Sequence, residues 1–199
     1  MAFFTVMEIV DILVIIAAAG FIFKDTLRPA MPRVDYTADP VAYYRAMGQG
    51  KGRMNQFWFA AAVIAPAILL HELGHKFVAM SYGLDATLHA SYVWLGIAVA
   101  LRLLNFPFIF FVPAFVAFPS VTTAGQSALI AFAGPAVNLL LWLGALWAFK
   151  AKVTKDRTWL SILRLTATVN MILFIINMIP IPPFDGGHGF TALWHVVAG

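Results

Sequence analysis

The sequence predicts an all-α membrane protein: a polytopic helical bundle of about four clear transmembrane helices plus one re-entrant or kinked apolar segment. Three observations lead there. Of the 199 residues, 62% are hydrophobic and only 11% charged, where a soluble domain is about half apolar and about a quarter charged. The mean hydropathy is +0.86. Apolar stretches of about 20 residues, the length that crosses a bilayer core, recur four times along the chain. Thirteen Lys and Arg against nine Asp and Glu leave a net charge of +4. A nucleic-acid binder would spread such a surplus over a dense polar surface. Here no nucleic-acid partner is expected, and the charge flanks spans set in a lipid bilayer. With no cysteine in the chain, disulfides, thiolate ligands and a cysteine nucleophile are excluded. Residues 1–199 read as one membrane domain.

The first span covers residues 3–23. It lacks a basic leading region and carries Glu8 and Asp11, so it reads as a retained span rather than a cleaved signal peptide. Residues 24–56 hold six Lys and Arg. Within them Asp39-Pro40, followed by Gly48, predicts a short capped surface helix. The second span covers 57–82. A tract at 91–118 is apolar but broken by Arg102, Asn105, Pro107 and Pro113, leaving two pieces each too short to cross. A re-entrant hairpin with its tip near Asn105–Pro107 fits that punctuation, and one kinked crossing is the rival. The third span covers 128–149, the second basic loop 150–160, and the fourth span 161–181. Trp58, Trp147 and Trp159 sit at span ends beside the loops, as an interfacial aromatic belt would.

The chemistry lies in His71-Glu72-Leu73-Gly74-His75, inside the second span. Positions i and i+4 of a helix share one face about 6 Å apart, so two imidazoles can grip one ion. Glu72 beside them is placed to take a proton from a metal-bound water. Ionisable groups at membrane depth cost several kcal/mol and mark function by default. Three within one turn, in a chain so poor in charge, outweigh a reading as core histidines with a chance glutamate.

A catalytic zinc takes three protein ligands and an open position. A downstream glutamate ligand is excluded, because the only other glutamate is Glu8. An extended HExxHxxGxxH pattern fails at Val78 and Ser81. Asp85, His89, Asp185, His188 and His195 remain. Asp185 is the best placed of these, at the end of Asn177-Met-Ile-Pro-Ile-Pro-Pro-Phe-Asp-Gly-Gly-His188. Its prolines end the fourth helix and hold the chain extended, and Gly186-Gly187 allow close approach to another backbone. His71 lies about 16 Å before the C-terminal end of its span, and Asp185 follows the end of the fourth. The two meet only if those spans are parallel, which favours the re-entrant reading of 91–118.

HELGH, the later Asn-x-x-Pro-x-Pro-Pro-x-Asp-Gly-Gly segment and Gly134-Pro135-Ala136-Val137-Asn138 between them resemble the site-2 protease family of intramembrane zinc metalloproteases. The likeness covers a catalytic core at about 57–188. It implies one zinc per chain held by His71, His75 and Asp185, with Glu72 as general base. It also implies that Asn138 helps hold the substrate strand or the developing oxyanion. The substrates implied are single-span transmembrane proteins cut in or near the membrane. Span 3–23 would serve as a lateral gate, and the protein would be multi-pass in the cell membrane.

The chain departs from the family in three ways. The usual glycine-containing β-hairpin is replaced by a long apolar tract. No PDZ-like or nucleotide-sensing domain is expected, and the extra C-terminal gating helices of some relatives are expected to be absent or removed. The oligomeric state is not indicated. Orientation is pulled two ways: the resemblance puts the metal near the cytosolic face, whereas the positive-inside bias makes the basic loops of the opposite face cytosolic. A metal-ion transporter using the same His, Glu and Asp residues is the alternative function.

Overall fold

Each long helix begins where a short polar side chain can satisfy the free N–H groups of a first turn. The computed structural model describes residues 3–27, 41, 54–106, 113–118 and 123–198. Helix α1 (Val6–Phe23) opens on a capping box, in which the Glu8 N–H donates to Thr5 Oγ1 and the Thr5 N–H donates to Glu8 Oε2 at 2.8 Å. Helix α2 (Gln56–Ser81) is capped by Asn55, whose side chain accepts from the Phe57 N–H.

The middle tract follows as strand β1 (Thr87–Ala90), helix α3 (Tyr92–Leu103) and strand β2 (Ala114–Ala117). Helix α4 (Ala124–Lys150) opens on a second capping box, from Thr123 and Gln126. Helix α5 (Arg157–Asn177) is capped by Asp156, and α6 (Asp185–Ala198) closes the described chain. Helices α1, α2, α4 and α5 are long and apolar enough to cross a membrane, and the protein is a multi-pass membrane protein.

The helix ends differ from the apolar stretches for local reasons. Helix α4 starts at Ala124, ahead of its apolar run, because the Thr123–Gln126 box extends it. Helix α5 stops at Asn177, before Pro180, Pro182 and Pro183, which lack the N–H that would continue it. Helix α6 was not foreseen: the sequence ends in a turn at Asp185, and the structure begins a helix there. The surface helix expected after Asp39-Pro40 lies outside the described residues.

The described residues of the tract at 91–118 begin and end side by side, and Pro107 at the expected tip lies outside the described residues. β1 and β2 pair antiparallel, Thr87 opposite Ala117 and Ala90 opposite Ala114. The two ends of the tract are therefore neighbours, as the re-entrant expectation asks. Helix α3, with 12 residues, is about 18 Å long, short of the roughly 30 Å hydrocarbon core. It ends where the sequence punctuates it: Asn105 takes φ +52°, a left-handed conformation that asparagine tolerates better than most residues. The all-α expectation thus holds apart from one two-stranded ladder among the described residues.

Helix α4 is the central element, packed against α2, α5 and α6, while α1 packs on α2. Ala60, Ala61, Ala65 and Ala67 of α2 are all buried, and such small side chains let membrane helices approach closely. Trp58, Trp147 and Trp159 are exposed, as an interfacial belt requires. The acidic residues of α1 fasten it to its neighbours. Glu8 Oε1 accepts from the Leu88 N–H of β1 at 2.8 Å and pairs with Lys76 of α2, both side chains being buried. The Tyr92 hydroxyl of α3 donates to Asp11 at 2.5 Å.

Candidate metal centre

Three ligand atoms converge at the crossing of α2, α4 and α6. His71 Nε2 lies 3.1 Å from His75 Nε2. Asp185 Oδ2 lies 3.0 Å from the first and 3.3 Å from the second. Both imidazoles are buried, and the carboxylate is mostly so. Helical spacing stacks the two histidines one turn apart on α2, with ring centroids 4.7 Å apart. Asp185 reaches them because α5 ends at Asn177 and the following turn places the carboxylate in the first turn of α6. The two glycines after it serve as expected: a Cβ on Gly186 would overlap the Met178–Ile179 backbone, and one on Gly187 the Ile181–Pro182 backbone.

The far nitrogen of each ring is held by an oxygen. His71 Nδ1 is 2.6 Å from Asn138 Oδ1, and His75 Nδ1 is 2.7 Å from the Ile130 carbonyl. Both oxygens accept, so each Nδ1 carries the proton and each Nε2 presents a bare lone pair. This is the arrangement by which proteins orient metal-binding histidines. Asp185 Oδ2 is itself buried without a hydrogen-bond partner. Three acceptors facing one another at such distances need a positive charge among them. Ligands about 2.0–2.1 Å from a tetrahedral zinc would stand roughly 3.3 Å apart, close to the observed triangle. Two imidazoles and one carboxylate are also a donor set that catalytic zinc uses. The residues fit the ion.

Glu72 is buried beside this triangle, with His71, His75 and Asp185 as its titratable neighbours. Among the described residues its carboxylate takes no hydrogen bond, which leaves it available to a water. Asn138 differs from its expected role of holding substrate or an oxyanion. It is fully buried, its Oδ1 is spent on His71 and its amide group donates to the Ala67 carbonyl at 3.1 Å. Its place is behind the histidine.

Gly134, four residues earlier, explains the first letter of the same motif. A Cβ there would overlap His75 Nε2 and the His71 ring, so only glycine lets α4 back directly onto the imidazoles. Neither this contact nor the Ile130 carbonyl was legible in the sequence, because both depend on how two helices cross. The other candidates stand apart. Asp85 is exposed in the turn before β1. His89 lies on β1 near Asp11 and Thr87. His188 and His195 line a groove of about 450 Å³ with Ser127, Pro182 and Thr191.

Comparisons with known proteins point the same way. Residues 144–199, which include Asp185, match the profile of peptidase family M50. A protein named "putative zinc metalloprotease" from Methanocaldococcus jannaschii is 30% identical over 132 residues, 65% of this chain and 68% of that one. One of the same description from Mycobacterium tuberculosis is 30% identical over 165 residues, 78% of this chain and 34% of that one. Another from Synechocystis is 27% identical over 137 residues, 68% of this chain and 31% of that one. The matches span about a third of the length of the last two proteins. No solved structure matches the chain.

Proposed function

The chain belongs to peptidase family M50, the site-2 protease family, and from that premise we propose that it is an intramembrane zinc endopeptidase. It hydrolyses a peptide bond in or near the transmembrane helix of a single-span membrane protein, in the cell membrane. The observation that carries the reading is the buried triangle of His71, His75 and Asp185 with the uncommitted Glu72 carboxylate beside it.

His71, His75 and Asp185 would hold one zinc, which when bound supplies Lewis acidity toward a water and the scissile carbonyl. Glu72 takes one proton from that water as its oxygen attacks the carbonyl carbon. As the C–N bond breaks, Glu72 passes the proton to the departing amine, so it is restored at the end of the cycle. Asn138 and the Ile130 carbonyl keep the two imidazoles turned to the ion throughout. A substrate helix shields its own amides and must unwind locally, which Pro or Gly in the substrate span makes cheaper. The transporter alternative asks for successive sites along a pathway. Among the described residues, one group of three or more potential ligands is found.

The test uses the full chain purified in detergent, with zinc content and cleavage of a single-span substrate compared for wild type, Glu72→Gln and Asp185→Ala. The proposal expects about one zinc in wild type, retained in Glu72→Gln with cleavage abolished, and lost in Asp185→Ala. Cleavage surviving Glu72→Gln would remove the glutamate from the mechanism. Zinc flux into vesicles by a wild type that cuts nothing would favour the transporter.

A further inference from the structure

A hydrogen-bond relay leads from the backbone of α5 to Nδ1 of His71, the ring nitrogen turned away from the ion site, and its first side chain is Asn170. The argument rests on the zinc-site reading above. The Thr166 carbonyl can only accept, and Asn170 Nδ2 donates to it at 2.8 Å. That contact turns Asn170 Oδ1 toward α4, where Asn138 Nδ2 donates to it at 2.8 Å. The other N–H of Asn138 goes to the Ala67 carbonyl of α2, a second fixed acceptor. Asn138 is thereby oriented from two sides, and its Oδ1 is the atom left for His71 Nδ1, at 2.6 Å. Two carbonyls that cannot rotate thus decide the orientation of two amides and, through them, the tautomer of one ring.

We propose that Asn170 is a positioning residue for the metal centre: it orients Asn138 so that His71 keeps its proton on Nδ1 and offers Nε2 to the ion. Both asparagines are fully buried. Asn138 has both N–H groups and its oxygen engaged, and a buried amide so satisfied acts as a rigid part where a half-satisfied one does not. With the oxygen of residue 170 removed, one Asn138 N–H loses its acceptor. The amide is then free to flip and set an N–H against His71 Nδ1, where only an acceptor belongs. Asn170 was not singled out by its sequence, since one asparagine in an apolar helix commonly serves only to bond a neighbouring helix. Mere helix bonding would alter stability and leave zinc affinity unmoved.

The experiment measures zinc affinity by chelator competition on the full chain in detergent, for wild type, Asn170→Leu and Asn170→Asp. Outer partners of metal ligands are worth about 10- to 100-fold in affinity, and Asn170→Leu is expected to lose that much. Asn170→Asp, whose buried carboxylic acid in its neutral form donates its O–H to the Thr166 carbonyl and accepts from Asn138, is expected to stay within roughly threefold of wild type on the same scale. In ¹⁵N-histidine spectra of the zinc-loaded wild type, His71 should be ligated through Nε2 with a proton on Nδ1. In Asn170→Leu the His71 Nδ1–H signal should move while that of His75, held by Ile130, stays.

Unchanged zinc affinity in a folded Asn170→Leu protein overturns the proposal, and so do equal losses in both variants. Ligation through His71 Nδ1 in wild type overturns it without any variant having to fold. A wild type that takes up no zinc overturns the metal site itself, whereas zinc uptake insensitive to residue 170 overturns only the relay.

Discussion

The ligand triangle owes its shape to a residue with no side chain. Gly134 sits where a methyl group would strike both imidazoles, so α4 can serve as the wall against which His71 and His75 are aligned. Gly134→Ala should therefore keep the helix, which alanine favours by about 1 kcal/mol over glycine. The rings would be displaced. The expected result is unchanged helical circular dichroism with zinc affinity reduced by about tenfold, the scale at which perturbed ligand orientation is felt. Full zinc affinity in that variant would show that the rings have room to spare. At this scale the sequence was most legible where a side chain is expensive. His71, Glu72, His75 and Asp185 stand out because ionisable groups in an apolar chain demand a reason. Asn138 was legible as a motif but not as a contact: its type is visible in the sequence, while its orientation toward His71 comes from the packing of α4 against α2.

Among the elements, α1 is joined to α2, the helix that carries His71 and His75, by a buried ion pair rather than by apolar packing alone. Lys76 follows His75 directly and pairs with Glu8, which also accepts from the Leu88 N–H. Removing one partner of a buried pair leaves an uncompensated charge and costs about 3–5 kcal/mol, whereas replacing both with apolar side chains is often neutral. Glu8→Met or Lys76→Met alone should lower the thermal midpoint in detergent markedly, and the double variant should recover most of the loss. A double variant as unstable as either single one would mean that the hydrogen bond to β1, rather than the pair, holds α1. The four spans were readable from apolar length, and their caps account for the shifts in their ends. The β1–β2 ladder was not readable: β1 alternates Thr87 and His89 with buried Leu88 and Ala90, but over four residues only, and β2 is apolar throughout. Helix α6 was hidden by its opening, Asp-Gly-Gly-His-Gly, since three glycines in five residues argue against a helix. Two of those glycines are fixed by the backbone they touch.

For the whole molecule, the proposed metal centre would also be a tie. His71 and His75 lie on α2 and Asp185 more than a hundred residues later on α6, with α4 packed between them. Ser91 and Pro113, the two ends of the middle tract, are side by side, with the Ser91 N–H donating to the Pro113 carbonyl at 2.9 Å. A ligand that binds only the folded chain stabilises it by about 2.7 kcal/mol at a hundredfold excess over its Kd. For a chain of this size each kcal/mol moves the midpoint by roughly 2–4 °C. Zinc-loaded wild type should therefore unfold about 5–10 °C above chelator-treated wild type in the same detergent, on those scales. Asp185→Asn, which weakens the one ligand outside α2, should bring the two curves together. Its metal-free midpoint should stay near that of metal-free wild type, because the substitution keeps the size of the side chain. A chelator shift that persists undiminished in Asp185→Asn would place the stabilising ion elsewhere. A wild type indifferent to chelation would mean that the helices assemble without help from the centre they build.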